Sequence, residues 1–125
     1  MQPNAGRITT HVLDTSKGAP AAGMQIELYF IKGSGKEESN IQVAASWTNS
    51  EGRLDSPLLH DGKLTEGEYE LRFHVDRYYA QSVHAEQNPV LWTVVPIRFA
   101  VLDARSHYHI PLLIAPGGYS TYRGS

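Results

Sequence analysis

Hydrophobic and polar residues alternate along this chain in short bursts separated by turn-forming clusters. A period of two belongs to strands rather than helices. The first burst, Ile8 to Leu13, sets Ile8, Thr10 and Val12 on one face and Thr9, His11 and Leu13 on the other. It ends in Asp14-Thr15-Ser16-Lys17-Gly18-Ala19-Pro20, which is loop chemistry. From Met24 to Ile31, Met24, Ile26, Leu28 and Phe30 face one way and Gln25 and Glu27 the other, until Gly33-Ser34-Gly35-Lys36 breaks the run. A third strand, Ile41 to Thr48, leads into the turn Asn49-Ser50-Glu51-Gly52. The short segment Arg53 to Leu59 follows and stops at His60-Asp61-Gly62. Tyr69, Leu71, Phe73 and Val75 form the inward face of a fifth strand. Arg77 to His84 lacks the alternation and fits a short helix over one edge. Val94 to Leu102 and Tyr108 to Ile114 are the next strands, and Pro116-Gly117-Gly118 turns the chain into a last one from Tyr119.

Eight short strands at this spacing predict an all-β sandwich or barrel with one short helix. Pro96 cannot donate to a ladder, so its strand should be an edge or carry a bulge. With 125 residues, no internal repeat and no linker, the expectation is one domain spanning 1–125. Such a chain buries roughly two thirds of its unfolded surface, enough for a core without staples.

Composition then removes several functions. There is no cysteine, hence no disulfide framework, thiol nucleophile or thiolate metal site. Eleven Lys and Arg against thirteen Asp and Glu leave a net charge of -2 and no basic block, which argues against nucleic acid as a partner. No apolar run approaches the roughly 20 residues of a membrane span. Met1 to Arg7 is short and polar without an apolar core, so no signal peptide is expected and the cytoplasm is the default compartment.

What remains for chemistry is histidine, arginine and hydroxyl groups. His11 sits in the first strand, where it is either a reactive imidazole or a strand histidine bonded to a neighbour. His107 and His109 flank Tyr108 and so share one face of their strand. Two such histidines can bind zinc if a third ligand such as His11 converges, or simply lie at the surface. Arg53 directly follows the Asn49–Gly52 turn and is either solvated or part of a site. The closing Tyr122-Arg123-Gly124-Ser125 continues a strand-like alternation where a frayed end would carry small polar residues. No Ser-His-Asp order or strained elbow is visible, which speaks against a serine nucleophile.

Thr10-His11-Val12-Leu13-Asp14 with Gly18-Ala19-Pro20-Ala21 resembles the opening signature of the transthyretin family. Tyr108-His109-Ile110-Pro111-Leu112-Leu113 and Gly118-Tyr119-Ser120-Thr121-Tyr122-Arg123-Gly124-Ser125 resemble its second signature, so the likeness runs from Arg7 to Ser125. The terminal Tyr-Arg-Gly-Ser is similar to the hallmark of the family's hydrolytic branch, the 5-hydroxyisourate hydrolases. The resemblance implies a transthyretin-like eight-stranded sandwich with one short helix. It implies a homotetramer with active sites in a channel where dimers meet. Its activity would be hydrolysis of 5-hydroxyisourate to 2-oxo-4-hydroxy-4-carboxy-5-ureidoimidazoline in urate degradation, with no cofactor or metal. Residue by residue, it gives catalytic roles to His11, Arg53 and His109, and substrate binding to Ser125 with Tyr122, Arg123 and Gly124.

Those residue types suit the reaction. A neutral imidazole accepts a proton near neutral pH, and arginine presents a charged fork of donors to carbonyl oxygens. His11 and His109 share water activation and proton transfer in either order, while Arg53 orients the substrate. Extension beyond Ser125 is expected to impair turnover. The apolar Pro111-Leu112-Leu113-Ile114 looks unsuited to a solvated face and favours assembly. Two departures stand out: Ala115 and Gly117 replace the family's usual serine and aromatic residue, and Trp92-Thr93-Val94 replaces a usual Phe-Pro-Glu. The competing readings are a non-catalytic carrier of small aromatic ligands and a zinc site built from His11, His107 and His109.

Overall fold

In the computed structural model, residues 5–33, 35–81 and 89–125 are described. In chain order the elements are β1 (Arg7–Thr9), β2 (Val12–Asp14), β3 (Ala19–Pro20), β4 (Gln25–Lys32), β5 (Ile41–Trp47), β6 (Gly67–Phe73), α1 (Val75–Ala80), β7 (Val95–Val101), β8 (His107–His109), β9 (Leu112–Ala115) and β10 (Gly118–Thr121). One layer is the antiparallel sheet β5-β4-β6-β7. The other is β10-β9-β2-β3, prolonged by the parallel pair β1-β8. Ile8, Val12, Leu112 and Ile114 of the second layer meet Ile26, Leu28, Leu71 and Phe73 of the first in a single buried cluster. Each such side chain contributes about 1.5–3 kcal/mol on burial, so the alternation that orients them also stabilises the sandwich.

The predicted faces hold along the first burst, where Ile8, Thr10 and Val12 are buried and Thr9, His11 and Leu13 partly exposed. That strand is nevertheless two, joined at Thr10 and His11, where the Thr10 hydroxyl donates to Ile110 O at 2.6 Å. Its partner divides at Ile110-Pro111. Ladder bonds still cross both joints, from Ile110 N to Thr9 O and from Leu112 N to His11 O. In β4 the burial phase slips after Leu28, since a register shift against β6 between Phe30 and Lys32 turns Ile31 inward.

Arg53 to Leu59 forms no strand. It makes only isolated bridges, Arg53 to His11 and Leu59 to Ile8, because Pro57 supplies no donor between them. Val75 is buried as expected but opens α1, which ends at Ala80; the expected helix beyond residue 81, including His84, lies outside the described residues. Pro96 sits in β7, an edge strand paired only with β6. Pro111, Leu112 and Ile114 are buried by the chain's own core while Leu113 is half-buried, so much of the segment's apolar character belongs to the sandwich. No helix among the described residues is long and apolar enough to cross a membrane.

Asp14 is the least expected core residue. Its carboxylate, fully buried, accepts from Ser16 N and Oγ and from the hydroxyls of Tyr78 and Tyr79 on α1. Burial alone would raise its pKa, but these donors outweigh it and hold the group below the ordinary carboxylate value. A carboxylate depressed in the folded state contributes stability above its unfolded pKa of about 4, lost as pH falls through the folded value. Asp14→Asn should therefore cost about 2 kcal/mol in urea unfolding at pH 7. The gap between variant and wild type should narrow below about pH 4. A gap independent of pH would show that the charge of Asp14 contributes nothing.

Candidate active site

The parallel register of β1 and β8 sets Arg7 beside His107 and Thr9 beside His109. Because neighbours alternate, Ile8 and Tyr108 turn into the core while Arg7, Thr9, His107 and His109 share the opposite face. His11 continues that face and bridges Arg53. The core thus holds the chemistry in place from behind.

Arg53 owes its position to the turn before it. Asn49 Oδ1 accepts from Glu51 N at 2.9 Å and Arg53 N at 3.1 Å, and Arg53 O accepts from Asn49 N at 2.7 Å. Gly52 has a φ of 75°, and a β-carbon there would overlap Val12 O. His11 Nε2 donates to Glu51 O at 2.9 Å, since a carbonyl can only accept. Neutral His11 therefore carries its proton on Nε2. Among the described residues the guanidinium of Arg53 makes no hydrogen bond or ion pair, and it is exposed.

The segment after β10 returns to the same place. Pro111 has no N–H, so the β9-β10 ladder stops at Thr121 and Leu112, and the Thr121 hydroxyl donates to Pro111 O instead. Pairing resumes at Gly124, whose N–H donates to His109 O at 2.7 Å. A methyl at Gly124 would overlap the His109 ring, so only glycine lets the backbone pass there. Arg123 stacks on Tyr108, 4.4 Å from its ring centre, and donates to His107 O.

These elements surround an open cavity of about 270 Å³ lined by Arg7, Thr9, Arg53, His107, His109 and Ser125, among others. Of the residues singled out in the sequence, Arg53, His107, His109 and Ser125 line it directly. His11 is not in the lining but is bridged to Arg53, which is. Gly124 fits against His109, Arg123 grips β8, and Tyr122 is exposed outside the lining. Thr9 and Arg7 had no role in the sequence reading, although the parity that placed Thr9 with His11 carried the signal.

The site is electropositive. Burial, then the charges of His107, Arg53 and His11, hold the His109 pKa below the usual histidine value. Burial, then Arg7 and Arg123, do the same to His107. Both rings are accordingly neutral at neutral pH, while a guanidinium faces the same space. That combination offers a proton acceptor and an anion-orienting group together. Among the described residues no three His, Asp or Glu side chains are arranged to hold a metal ion.

A sequence profile of the HIUase/Transthyretin family matches residues 8–124. The chain belongs to that family. A 5-hydroxyisourate hydrolase of Halalkalibacterium halodurans is 50% identical over 121 residues, covering 97% of this chain and 99% of the relative. The solved 5-hydroxyisourate hydrolase of Klebsiella pneumoniae superposes with a TM-score of 0.76 at 32% identity, covering 96% of this chain and 99% of that one. Sea bream transthyretin, solved with thyroxine, superposes at 0.79 with 22% identity over 94% of each chain, a likeness of fold. Against the family pattern, Ala115 is the last residue of β9 and Gly117 lies in the turn to β10, and neither lines the cavity. Nothing stands within 4 Å of a β-carbon at Gly117, so the position is open. Trp92 packs edge-on against Tyr119 at 5.2 Å and against the core, a structural place.

The hold of this turn can be measured without substrate. Gly52→Ala forces a side chain into a left-handed conformation and onto Val12 O, which should cost at least about 1–3 kcal/mol in chemical denaturation. A variant as stable as wild type would mean that the turn relaxes freely.

Proposed function

We propose that residues 1–125 form one hydrolase domain that opens the ring of 5-hydroxyisourate by adding water across a cyclic amide bond. The observation that carries this reading is the convergence of Arg53, His109 and Ser125 on one cavity, with His11 bridged to Arg53. This convergence occurs in a chain half identical to a curated 5-hydroxyisourate hydrolase. A carrier of small ligands has no need of two neutral imidazoles beside a guanidinium that no described residue pairs with.

The chemistry follows from the groups. Arg53 binds the carbonyl oxygens of the anionic ring and stabilises negative charge on the attacked carbonyl oxygen. His109, kept neutral by burial and its cationic neighbours, accepts a proton from water and returns it to the departing nitrogen. His11, fixed through Nε2 on Glu51 O, offers Nδ1 as an acceptor that orients water or substrate. Ser125 closes one side of the cavity, and Gly124 keeps the His109 ring in position.

The assembly we assign to it is a homotetramer. The cavity is open-sided, and Leu91 and Tyr119 expose apolar surface at the outer edge strand β10, which a second copy would cover. Sedimentation should give four chains; a monomer with full activity would remove the need for a shared site.

Turnover is measured by rapid ultraviolet spectroscopy of freshly made 5-hydroxyisourate, with spontaneous decay subtracted. His109→Ala, His11→Ala and Arg53→Ala should each lower kcat/KM by about 10²-fold or more. Wild-type rates in all three would overturn the assignment. For wild type, kcat/KM should rise with pH through a value below the usual histidine 6.5, because the base works in its neutral form and its pKa is lowered. An acid limb above that value would put the base elsewhere.

A further inference from the structure

Thr9 lies between two imidazoles. Its Oγ1 is 2.6 Å from His107 Nε2 and 2.8 Å from His109 Nδ1. A threonine hydroxyl has one hydrogen, so it donates to one ring and must accept from the other. The protonation of the two histidines is thereby linked. If His109 donates from Nδ1, the Thr9 hydrogen points to His107 Nε2, and His109 Nε2 keeps a lone pair. If His107 donates from Nε2, the Thr9 hydrogen points to His109 Nδ1, and neutral His109 carries its proton on Nε2. The first arrangement is a base, the second an acid. No described residue hydrogen-bonds His109 Nε2, and His109 lines the cavity.

We propose that the Thr9 hydroxyl is a proton bridge that makes His107 the proton reservoir for His109, the three groups working as one unit during hydrolysis. The inference rests on the hydrolytic reading and extends it to two positioning residues. When water attacks, its oxygen bonds to the ring carbonyl carbon and one of its protons goes to His109 Nε2. The Nδ1 proton of His109 passes to Thr9 Oγ1, and the original Thr9 hydrogen passes to His107 Nε2. When the carbon–nitrogen bond breaks, its electron pair stays on nitrogen, which takes the proton from His109 Nε2. Thr9 and His107 return their protons in sequence, and the new carboxylic acid releases its own to solvent. Throughout, His109 remains neutral.

That neutrality matters because of the surroundings. His109 faces Arg53, His11 and His107, and a cationic ring there would sit beside the guanidinium that holds the substrate. The relay moves the positive charge away from Arg53 and the substrate to His107, where burial and the charges of Arg7 and Arg123 also oppose it, so it rests there only until the nitrogen departs. Arg123 is occupied by the Tyr108 ring and His107 O. Both rings are neutral before the reaction, which is the state the relay needs.

The test uses Thr9→Val, which keeps the shape and removes the hydroxyl, Thr9→Ser, which keeps the hydroxyl, and His107→Gln, which keeps hydrogen bonding but cannot hold an extra proton. In ¹⁵N-histidine NMR spectra of the wild type, the neutral His109 and His107 rings should show matched tautomers, and Thr9→Val should uncouple them. Thr9→Val and His107→Gln should lower kcat about tenfold or more with little change in KM, and Thr9→Ser should restore kcat to within a few-fold. Wild-type kcat in both Thr9→Val and His107→Gln, with the His109 tautomer unchanged in Thr9→Val, would overturn the bridge. Failure of the hydrolytic reading looks different: wild type itself would then not exceed spontaneous decay, while the spectra would still show whether the two tautomers are linked.

Discussion

Parallel pairing of β1 and β2 with β8 and β9 is the constraint on which the site depends. Parallel neighbours require a long connection, and here the connection contains most of the chain. Residues about a hundred positions apart are consequently set side by side in fixed register, Thr9 with His109 and Arg7 with His107. Buried alternate residues, Ile8 with Tyr108 and Thr10 with Ile110, fix which face those partners present. A slip of one residue would turn the histidines into the core and expose the aliphatic side chains. Hydrophobic burial and catalytic geometry are therefore enforced by the same pairing.

The connecting chain supplies the remaining functional group through a turn rather than a strand. Arg53 is placed by Asn49, Gly52 and a bridge to His11, all backbone-directed contacts. Among the described residues nothing pairs with its charge, so its guanidinium adds no ion pair to the fold there. The opposite choice is made at Asp14, where a buried charge is surrounded by donors and serves only the fold.

Much of this was legible in the sequence. The alternation located the strands, the parity of Thr9, His11, His107 and His109 described a shared face, and the Tyr-Arg-Gly-Ser signature pointed to the hydrolytic branch. Other features were hidden for physical reasons. The joints at Thr10-His11 and Ile110-Pro111 leave the ladder bonds running, so the pattern of polarity does not register them. Asp14 resembled a turn residue because its partners, Tyr78 and Tyr79, come from a helix 64 and 65 positions away. Pro111 to Ile114 reads as uniformly apolar because Leu112 and Ile114 serve the core while Leu113, half-buried, is apolar as well. Thr9 was on the right face, but the sharing of one hydroxyl by two rings depends on distances that spacing alone does not contain.

The gap that Pro111 leaves in the β9-β10 ladder separates the last stretch of chain from the sheet energetically. Beyond Thr121, among the described residues, that stretch makes one backbone bond at Gly124 and the contacts of Arg123 with Tyr108 and His107. Together these are worth about 2–4 kcal/mol, well below the roughly 5–15 kcal/mol that holds a domain folded. Opening this segment locally would therefore cost less than unfolding the sandwich. Each opening uncovers the His109 ring from the Gly124 side, so amide exchange at Gly124 reports how often the wall of the cavity moves.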